Sequence, residues 1–189
     1  PGASRVERCW PSSNFSALAN LLSENGFQPI LVGSPKDVEI CEDVQRNVKK
    51  RLTCFAGKTS IKEMAYILAK CDLLISNDTG AIHMASAVDT RCIGLYGATA
   101  FFRETAPWGE GHMILQAPLD RDLAGITVPD VFVTFMGIEQ ATPNISLQSK
   151  EITLWKTSFL DSDPLGGLQY RRIDSYQKFD GRIAQHMRT

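Results

Sequence analysis

The stretch CDLLISNDTGAIHMASA, residues 71–87, decides the fold. Its apolar half predicts a buried strand at 72–76, and its small-residue half predicts a helix from about 81 to 88. The polar turn Asn77–Gly80 lies between them. The first turn of a helix presents unpaired backbone N–H groups and a partial positive charge. This turn is therefore predicted to hold an anion such as a phosphate or pyrophosphate.

Three residues of the turn, and His83 after it, have predicted parts in that site. Gly80 allows a ligand to approach the backbone closely, and the Thr79 hydroxyl adds a donor. Asp78 repels a phosphate, so it either caps the helix or accepts hydrogen bonds from sugar hydroxyls. His83 follows three residues after Gly80, near the same helical face. The alternative is structural, with Asp78 only an N-cap and His83 only a partly buried side chain.

The same strand–helix alternation runs through the first two thirds of the chain. The strands are nearly apolar throughout, which predicts a parallel sheet covered by helices on both faces. This is a doubly wound, Rossmann-like α/β domain, in which ligands bind beyond the carboxyl ends of the strands. The predicted strands are 27–32, 52–55, 72–76 and 92–96, with a closing helix at 128–138.

Other signals set element boundaries. Ser12 or Ser13 is expected to cap the first helix, and Ser60 with Glu63 fits a capping box. We place the Rossmann-like domain at 1–141 and a C-terminal extension of unknown role at 142–189. Within the extension, 152–155 and 168–173 are possible strands.

The opening segment Pro1–Pro11 supplies a second candidate site. Small residues and the Ser4 hydroxyl are followed by Arg8, just before a helix. An arginine can neutralise a leaving diphosphate. The alternative is a solvated surface arginine. The segment begins without Met and has the character of the interior of a protein, so we expect a fragment of a longer chain.

Composition limits the classes of protein to which the chain can belong. The 189 residues carry a net charge of -1, with 43% apolar and 22% charged residues. This balance is typical of a soluble globular protein and does not favour a nucleic-acid binder. Five cysteines without a CxxC pair indicate reduced thiols in a cytoplasmic protein, and no metal site is expected.

These motifs together resemble glycosyltransferase family nine, the ADP-heptose–lipopolysaccharide heptosyltransferases. In order they are GAS…R.WP, LVGSP.D, GKTSI.E.A..L, DLLISNDTGAIHMASA and GLYG.T. The resemblance covers roughly residues 1–115. It implies the donor-binding half of a two-domain GT-B enzyme. The resemblance also implies a reaction that inverts the configuration at the anomeric carbon without a metal or other cofactor. It places the acceptor site and an acidic general base in an N-terminal half.

The resemblance also assigns residues. Ser4, Arg8, Thr79 and Gly80 would bind the donor diphosphate, whereas Asp37, Lys58, Thr59, Asp78 and His83 would line the sugar and nucleoside. Asp37 would contact the ribose, and Lys58 with Thr59 the base. Asp78 would touch the sugar or order the loop. The alternative is that Asp37 and Lys58 are exposed side chains without a role in binding, since charged residues are common at loop and helix starts.

The implied substrates are ADP-heptose and a lipopolysaccharide core or related glycan. The implied location is the cytoplasm, with peripheral association at the inner membrane. One departure follows the strand at 92–96, where Phe101 and Phe102 replace the usual residues. We expect this pair to be exposed and to reshape the sugar end of the pocket or meet the other domain.

Two other functions stay open. One is a Rossmann-like binding or interaction module that docks through aromatic residues of the extension. Those residues are Trp155, Phe159, Tyr170, Tyr176 and Phe179. The other is a GT-B-like nucleotide-sugar epimerase or hydrolase.

Overall fold

A computed structural model describes residues 1–98, 102–118, 120–139, 147, 151–159 and 168–173. The strands are β1 (Ile30–Leu31), β2 (Thr53–Cys54), β3 (Leu73–Asn77), β4 (Arg91–Tyr96), β5 (Met113–Gln116), β6 (Thr153–Phe159) and β7 (Leu168–Arg172). The helices are α1 (Ser12–Glu24), α2 (Val38–Arg46), α3 (Ile61–Leu68), α4 (Gly80–Ala87), α5 (Phe102–Thr105) and α6 (Val128–Glu139). Short 3-10 turns occupy Val6–Arg8, Pro35–Asp37 and Leu123–Gly125.

The strands form two sheets. β1 and β2 pair in parallel, with Leu31 opposite Cys54. The larger sheet has the order β3-β4-β5-β6-β7, in which β3, β4 and β5 are parallel. β6 runs antiparallel to β5, and β7 antiparallel to β6. The parallel α/β class predicted from the sequence is confirmed.

Apolar side chains lie on both faces of β4, as expected for a doubly wound sheet. Ile93 and Leu95 belong to the cluster packed with α1 and α6. Cys92 and Tyr96 point to the opposite cluster, which includes Ile82 of α4. The sheet is therefore covered on both sides, and its ligand-binding edge is at the carboxyl ends of its strands.

The helix boundaries test the capping predictions. The Ser60–Glu63 capping box is confirmed, with the Ser60 N–H and hydroxyl both 2.8 Å from Glu63 Oε2. The prediction that Ser12 or Ser13 caps α1 is wrong. The N-cap is Pro11, whose extended backbone (φ −51°, ψ 136°) sets the boundary and whose carbonyl accepts from Asn14 N–H at 2.9 Å. Both serines therefore lie inside the first turn.

The expected exposure of the aromatic pair at 101–102 is wrong for Phe102. This side chain is 1% exposed and begins α5. Its ring lies 5.1 Å from the Trp155 ring and 6.5 Å from the Tyr96 ring, measured between centroids. The physical reason is that β6 brings Trp155 alongside β5, which gives Phe102 an apolar partner. Phe101 lies outside the described residues.

The extension contributes both strands predicted in it. Ile152 and Leu154 are buried, 6% and 1% exposed respectively. Trp155 is half-buried, while the side chains of the other four aromatic residues lie outside the described part of the chain. The boundary at 141–142 also lies outside it and stays a prediction. None of the helices described here is long and apolar enough to cross a membrane.

Candidate functional site

The turn between β3 and α4 leaves the N-terminus of α4 open. Thr79 is the N-cap, and its Oγ1 accepts from Ala81 N–H at 3.4 Å and lies 3.3 Å from Ser76 Oγ. Gly80, the first residue of α4, is exposed, and a Cβ built on it would meet no atom within 4 Å. Space for a ligand therefore lies directly before the first N–H groups of the helix.

Asp78 does not cap α4. Its carboxylate is 6% exposed and accepts a hydrogen bond from Arg8 Nη1 at 3.0 Å. The Arg8 side chain is 27% exposed. A charge-assisted bond of this kind is short and directional, so Asp78 holds the guanidinium beside the turn. The structure thus brings together two residues that are 70 positions apart in sequence.

Asn77 ties the opening segment to β3, a role that the sequence analysis missed. Its Oδ1 accepts from Trp10 N–H at 3.0 Å, and its Nδ2 donates to the carbonyls of Pro1 and Gly2, the latter at 3.3 Å. Trp10 is anchored in turn by its Nε1–H, which donates to the Ile126 carbonyl at 2.8 Å. The available signal was an amide side chain at the end of a buried strand, because buried amides need several partners.

Asp37 holds the other side of the opening segment. Its Oδ2 accepts from the N–H and from the hydroxyl of Ser34, each at 2.7 Å. Gly2 lies directly against it, since a Cβ at Gly2 would stand 1.7 Å from Asp37 Oδ1. Only a glycine allows this approach. Asp37 is therefore half-buried between two turns rather than merely exposed.

One cleft, with a volume of about 1050 Å³, is bordered by the opening segment, the turn after β1 that holds Asp37 and the turn after β3. Of the predicted site residues, those that line it are Ser4, Asp37, Thr59, Asp78, Thr79 and Gly80. They come from the opening segment and from the turns after β1, β2 and β3. The predicted location of the site, beyond the carboxyl ends of parallel strands, corresponds to the mouth of this cleft.

Three predicted residues do not line the cleft. Arg8 lies behind Asp78, to which it donates its hydrogen bond. Lys58 is exposed, and its Nζ donates to the Cys54 carbonyl at 2.9 Å. It lines a smaller pocket of about 450 Å³ together with Thr59, Lys62 and Tyr66. His83 is exposed on α4 and belongs to neither lining.

The two buried cysteines are not activated nucleophiles. All five are free thiols, and Cys41 and Cys92 are buried. Burial raises the pKa of Cys92 to about 12 and that of Cys41 to about 11. Both thiols stay protonated at neutral pH. Within the described ranges, no group of three or more His, Cys, Asp or Glu side chains is placed to hold a metal ion.

A sequence profile described as glycosyltransferase family 9 (heptosyltransferase) matches residues 1–122. The chain belongs to glycosyltransferase family 9. Lipooligosaccharide heptosyltransferase 2 of Haemophilus influenzae is 35% identical over 95 residues, which make up 48% of this chain and 28% of that protein. The curated relatives are much longer, since the chain covers between 27% and 35% of their lengths.

Solved structures share the fold. A family 9 glycosyl transferase from Veillonella parvula aligns with a TM-score of 0.70 at 20% identity, over 75% of this chain and 44% of that one. The heptosyltransferase WaaC of E. coli, solved with ADP-2-deoxy-2-fluoro heptose, aligns with a TM-score of 0.59 at 25% identity, over 75% and 41%. The family resemblance read from the motifs is confirmed.

Proposed function

We propose that this chain is the donor-binding part of an inverting glycosyltransferase that transfers heptose from ADP-heptose to a lipopolysaccharide core or related glycan. Membership of family 9 supports transfer, and the ADP-sugar in the WaaC structure supports the donor class. One observation carries the proposal. The opening segment and the turn after β3 meet at the open N-terminus of α4, with Arg8 fixed there by Asp78.

The donor diphosphate binds across this N-terminus. The backbone N–H groups of Thr79 and Gly80 donate to its oxygens, as do the hydroxyls of Thr79 and Ser4. The helix dipole favours its negative charge. Arg8 adds a full positive charge. Asp78 acts through Arg8, because its buried carboxylate sets the direction of the guanidinium. Ligand binding therefore needs little rearrangement of the charged groups.

In the reaction an acceptor hydroxyl attacks the anomeric carbon of the donor sugar. The bond from that carbon to the diphosphate oxygen breaks, and its electron pair leaves with ADP. Negative charge therefore grows on the diphosphate as the transition state forms. Arg8 and the α4 N-terminus stabilise the charge of the transition state more than the smaller charge of the ground state. This difference lowers the barrier. The acceptor proton passes to an acidic side chain that the resemblance assigns to the N-terminal half of the enzyme.

The nucleoside extends from the diphosphate toward the turns after β1 and β2. Asp37 lies on this path, and its Oδ1 is the oxygen that Ser34 does not use. It accepts from the ribose hydroxyls in our proposal. Thr59 lines both the cleft and the smaller pocket that contains Lys58, so the base lies between them. His83 is assigned to the sugar side of the donor.

Calorimetry of the 189-residue chain with ADP, UDP and GDP tests the proposal. We expect ADP to bind most tightly. Arg8→Ala and Thr79→Val should each weaken ADP binding by about tenfold or more, the loss of one hydrogen bond to a charged group. The matched controls are Arg5→Ala and Thr53→Val, because both residues are exposed and the ion pair with Asp78 is made by Arg8.

The controls decide the interpretation. Unchanged ADP affinity in the controls, with loss in Arg8→Ala and Thr79→Val, supports the site. Equal losses at Arg5 and Arg8 would indicate a general charge effect and contradict it. Absence of binding for all three nucleotides would contradict donor binding by this chain.

A further inference from the structure

The loop after β4, residues 97–102, begins beside the turn that holds the proposed diphosphate site. β3 and β4 are parallel neighbours, with Asn77 paired to Leu95. The turn at 77–80 and this loop therefore leave adjacent strands at the same edge of the sheet. A ligand bound at the turn lies next to the loop.

The strand order directs the donor sugar toward this loop. In the proposed function, on which this inference rests, the nucleoside lies toward the turns after β1 and β2. Those turns border the cleft on the side of β3 away from β4, since no residue of β4, all of which are described, lines the cleft. An ADP-sugar carries its base and its sugar at opposite ends of the diphosphate. With the base toward β2 and the diphosphate at the N-terminus of α4, the sugar extends toward the loop after β4.

Gln116, the last residue of β5, hydrogen-bonds to both ends of this loop. Its Oε1 accepts from Phe102 N–H at 3.3 Å. Its Nε2 donates to the carbonyls of Tyr96 and Gly97, both at 3.4 Å, and of Ala117 at 2.9 Å. Gln116 is 5% exposed. Because its amide uses donors and acceptor together inside the domain, it fixes the backbone around it.

The start of the loop is also packed against the 3-10 turn Leu123–Gly125. A Cβ built on Gly97 would lie 3.1 Å from Leu123 N, a closer approach than side chains ordinarily make. The next residue, Ala98, donates its N–H to the Arg121 carbonyl at 2.9 Å. Ala98 is nevertheless exposed. The loop therefore presents Ala98 to solvent from a fixed backbone.

The C-terminal extension holds the other end of the loop. The buried ring of Phe102 packs against Trp155 of β6. The Arg103 guanidinium lies 5.7 Å from the centroid of the Trp155 ring and 6.0 Å from that of the Phe102 ring. A cation over aromatic rings adds to this packing. Both ends of the loop are thus held by residues that follow it in sequence.

We propose that Gln116 is a positioning residue for the donor sugar. Its amide holds the two ends of the loop, at Gly97 and Phe102, and so keeps Ala98 in contact with the sugar of the bound nucleotide. ADP lacks this sugar, so Gln116 should affect the binding of ADP-heptose more than that of ADP. If Gln116 only satisfied backbone groups inside the domain, its loss would change both affinities equally.

Amide NMR of the 189-residue chain with ADP and with ADP-heptose separates the sugar from the nucleotide. Signals that differ between the two complexes report the sugar. We expect such differences at Gly97 and Ala98, whereas Thr79 and Gly80 shift with both ligands. Gln116→Met keeps the length of the side chain but removes the amide, so the differences at Gly97 and Ala98 should decrease.

Calorimetry measures the ratio of ADP-heptose affinity to ADP affinity. In Gln116→Met this ratio should fall about threefold or more, the effect of about one neutral hydrogen bond, while ADP affinity stays within about twofold. The matched control is Thr157→Val. Thr157 is 0% exposed, and its Oγ1 accepts from His112 N–H at 3.1 Å, at the opposite end of β5. The control removes a buried hydrogen bond to the backbone and should leave the ratio unchanged.

Three results would contradict the inference while leaving the proposed function in place. One is ADP binding without any sugar-dependent difference at Gly97 and Ala98. The second is an unchanged affinity ratio in Gln116→Met, and the third is a fall of the same size in Thr157→Val. Absence of ADP binding by the unaltered chain contradicts the proposed function and overturns the inference with it.

A second variant covers the case in which Gln116→Met does not fold. Gln116→Asn keeps the amide on a side chain that is shorter by a methylene and does not reach both Gly97 and Phe102. The same fall in the affinity ratio is expected. An unchanged ratio in Gln116→Asn would overturn the inference.

Discussion

At the scale of single residues, Gly80 is a position where a substitution should change ligand affinity without weakening the fold. A Cβ there would meet no protein atom within 4 Å, and its backbone does not have the positive φ that requires glycine. The fold itself therefore accepts a side chain at this position. A methyl group would enter open space at the first residue of α4, where we place the donor diphosphate.

Gly80→Ala should consequently weaken ADP binding without weakening the fold. We expect at least about a tenfold loss of ADP affinity, because the methyl group occupies the ligand's space. The free energy of unfolding should stay the same or rise by up to about 1 kcal/mol, since alanine favours helix over glycine. Calorimetry and urea unfolding measure the two quantities. Gly125→Ala is the matched control, also in open space, and should change neither.

The residue types in the turn predicted where the turn lies in the fold but not which distant residues it contacts. That a helix begins at this turn follows from local sequence, since caps and helix N-termini depend on neighbouring residues. The cap itself is Thr79 rather than Asp78. The partner of Asp78 does not, because Arg8 is 70 positions away and only the tertiary fold brings the two side chains together. The same applies to Asn77, whose partners Pro1, Gly2 and Trp10 are also distant in sequence.

At the scale of elements, His112 joins β4 to the loop before β5. Its Nδ1 accepts from Cys92 N–H at 3.2 Å, which places the ring proton on Nε2. Nε2 then donates to the Trp108 carbonyl at 3.1 Å. The ring is 4% exposed, and burial lowers the pKa of His112. Protonation would remove the acceptor that Cys92 N–H uses.

This geometry predicts a pH dependence of stability. The unfolded chain binds a proton at His112 more readily than the folded chain, so stability falls as the pH drops below about 6.5. The slope from this group is at most about 1.4 kcal/mol per pH unit. Urea unfolding between pH 5 and 8 measures it. His112→Gln should flatten the slope, and His83→Gln, at an exposed position, should leave it unchanged. Equal slopes in all three chains would contradict this account.

Strand boundaries were the least predictable feature of the elements. The apolar runs 27–32 and 52–55 predicted strands longer than the two-residue β1 and β2. An apolar run indicates burial, but the length of a strand depends on the partner beside it. Among the described residues, β1 and β2 pair only with each other, and their regular ladder is short.

At the scale of the whole molecule, the extension is built into the main sheet. β6 covers the edge of β5, with Leu154 opposite Leu115. The parallel class was predictable because buried parallel strands are apolar along their length. The antiparallel continuation was not predictable, because short apolar runs at 152–155 and 168–173 do not specify which strand they pair with.

Leu154→Ala should therefore destabilise the whole domain. The side chain is 1% exposed, and its loss leaves a cavity that costs about 2–5 kcal/mol of unfolding free energy. Lys156→Ala on the same strand is the matched control, since Lys156 is exposed, and it should cost less than about 0.5 kcal/mol. Chemical unfolding distinguishes the two. A Leu154→Ala chain as stable as the control would mean that the extension only docks on the domain.

The central claim, a donor diphosphate at the N-terminus of α4, is tested most directly by an amide NMR titration of the chain with ADP. The account predicts that the largest shifts occur at Thr79, Gly80 and Ala81, with further shifts at Ser4. Shifts confined to residues 58–67, around the smaller pocket, would place the nucleotide elsewhere and contradict the account.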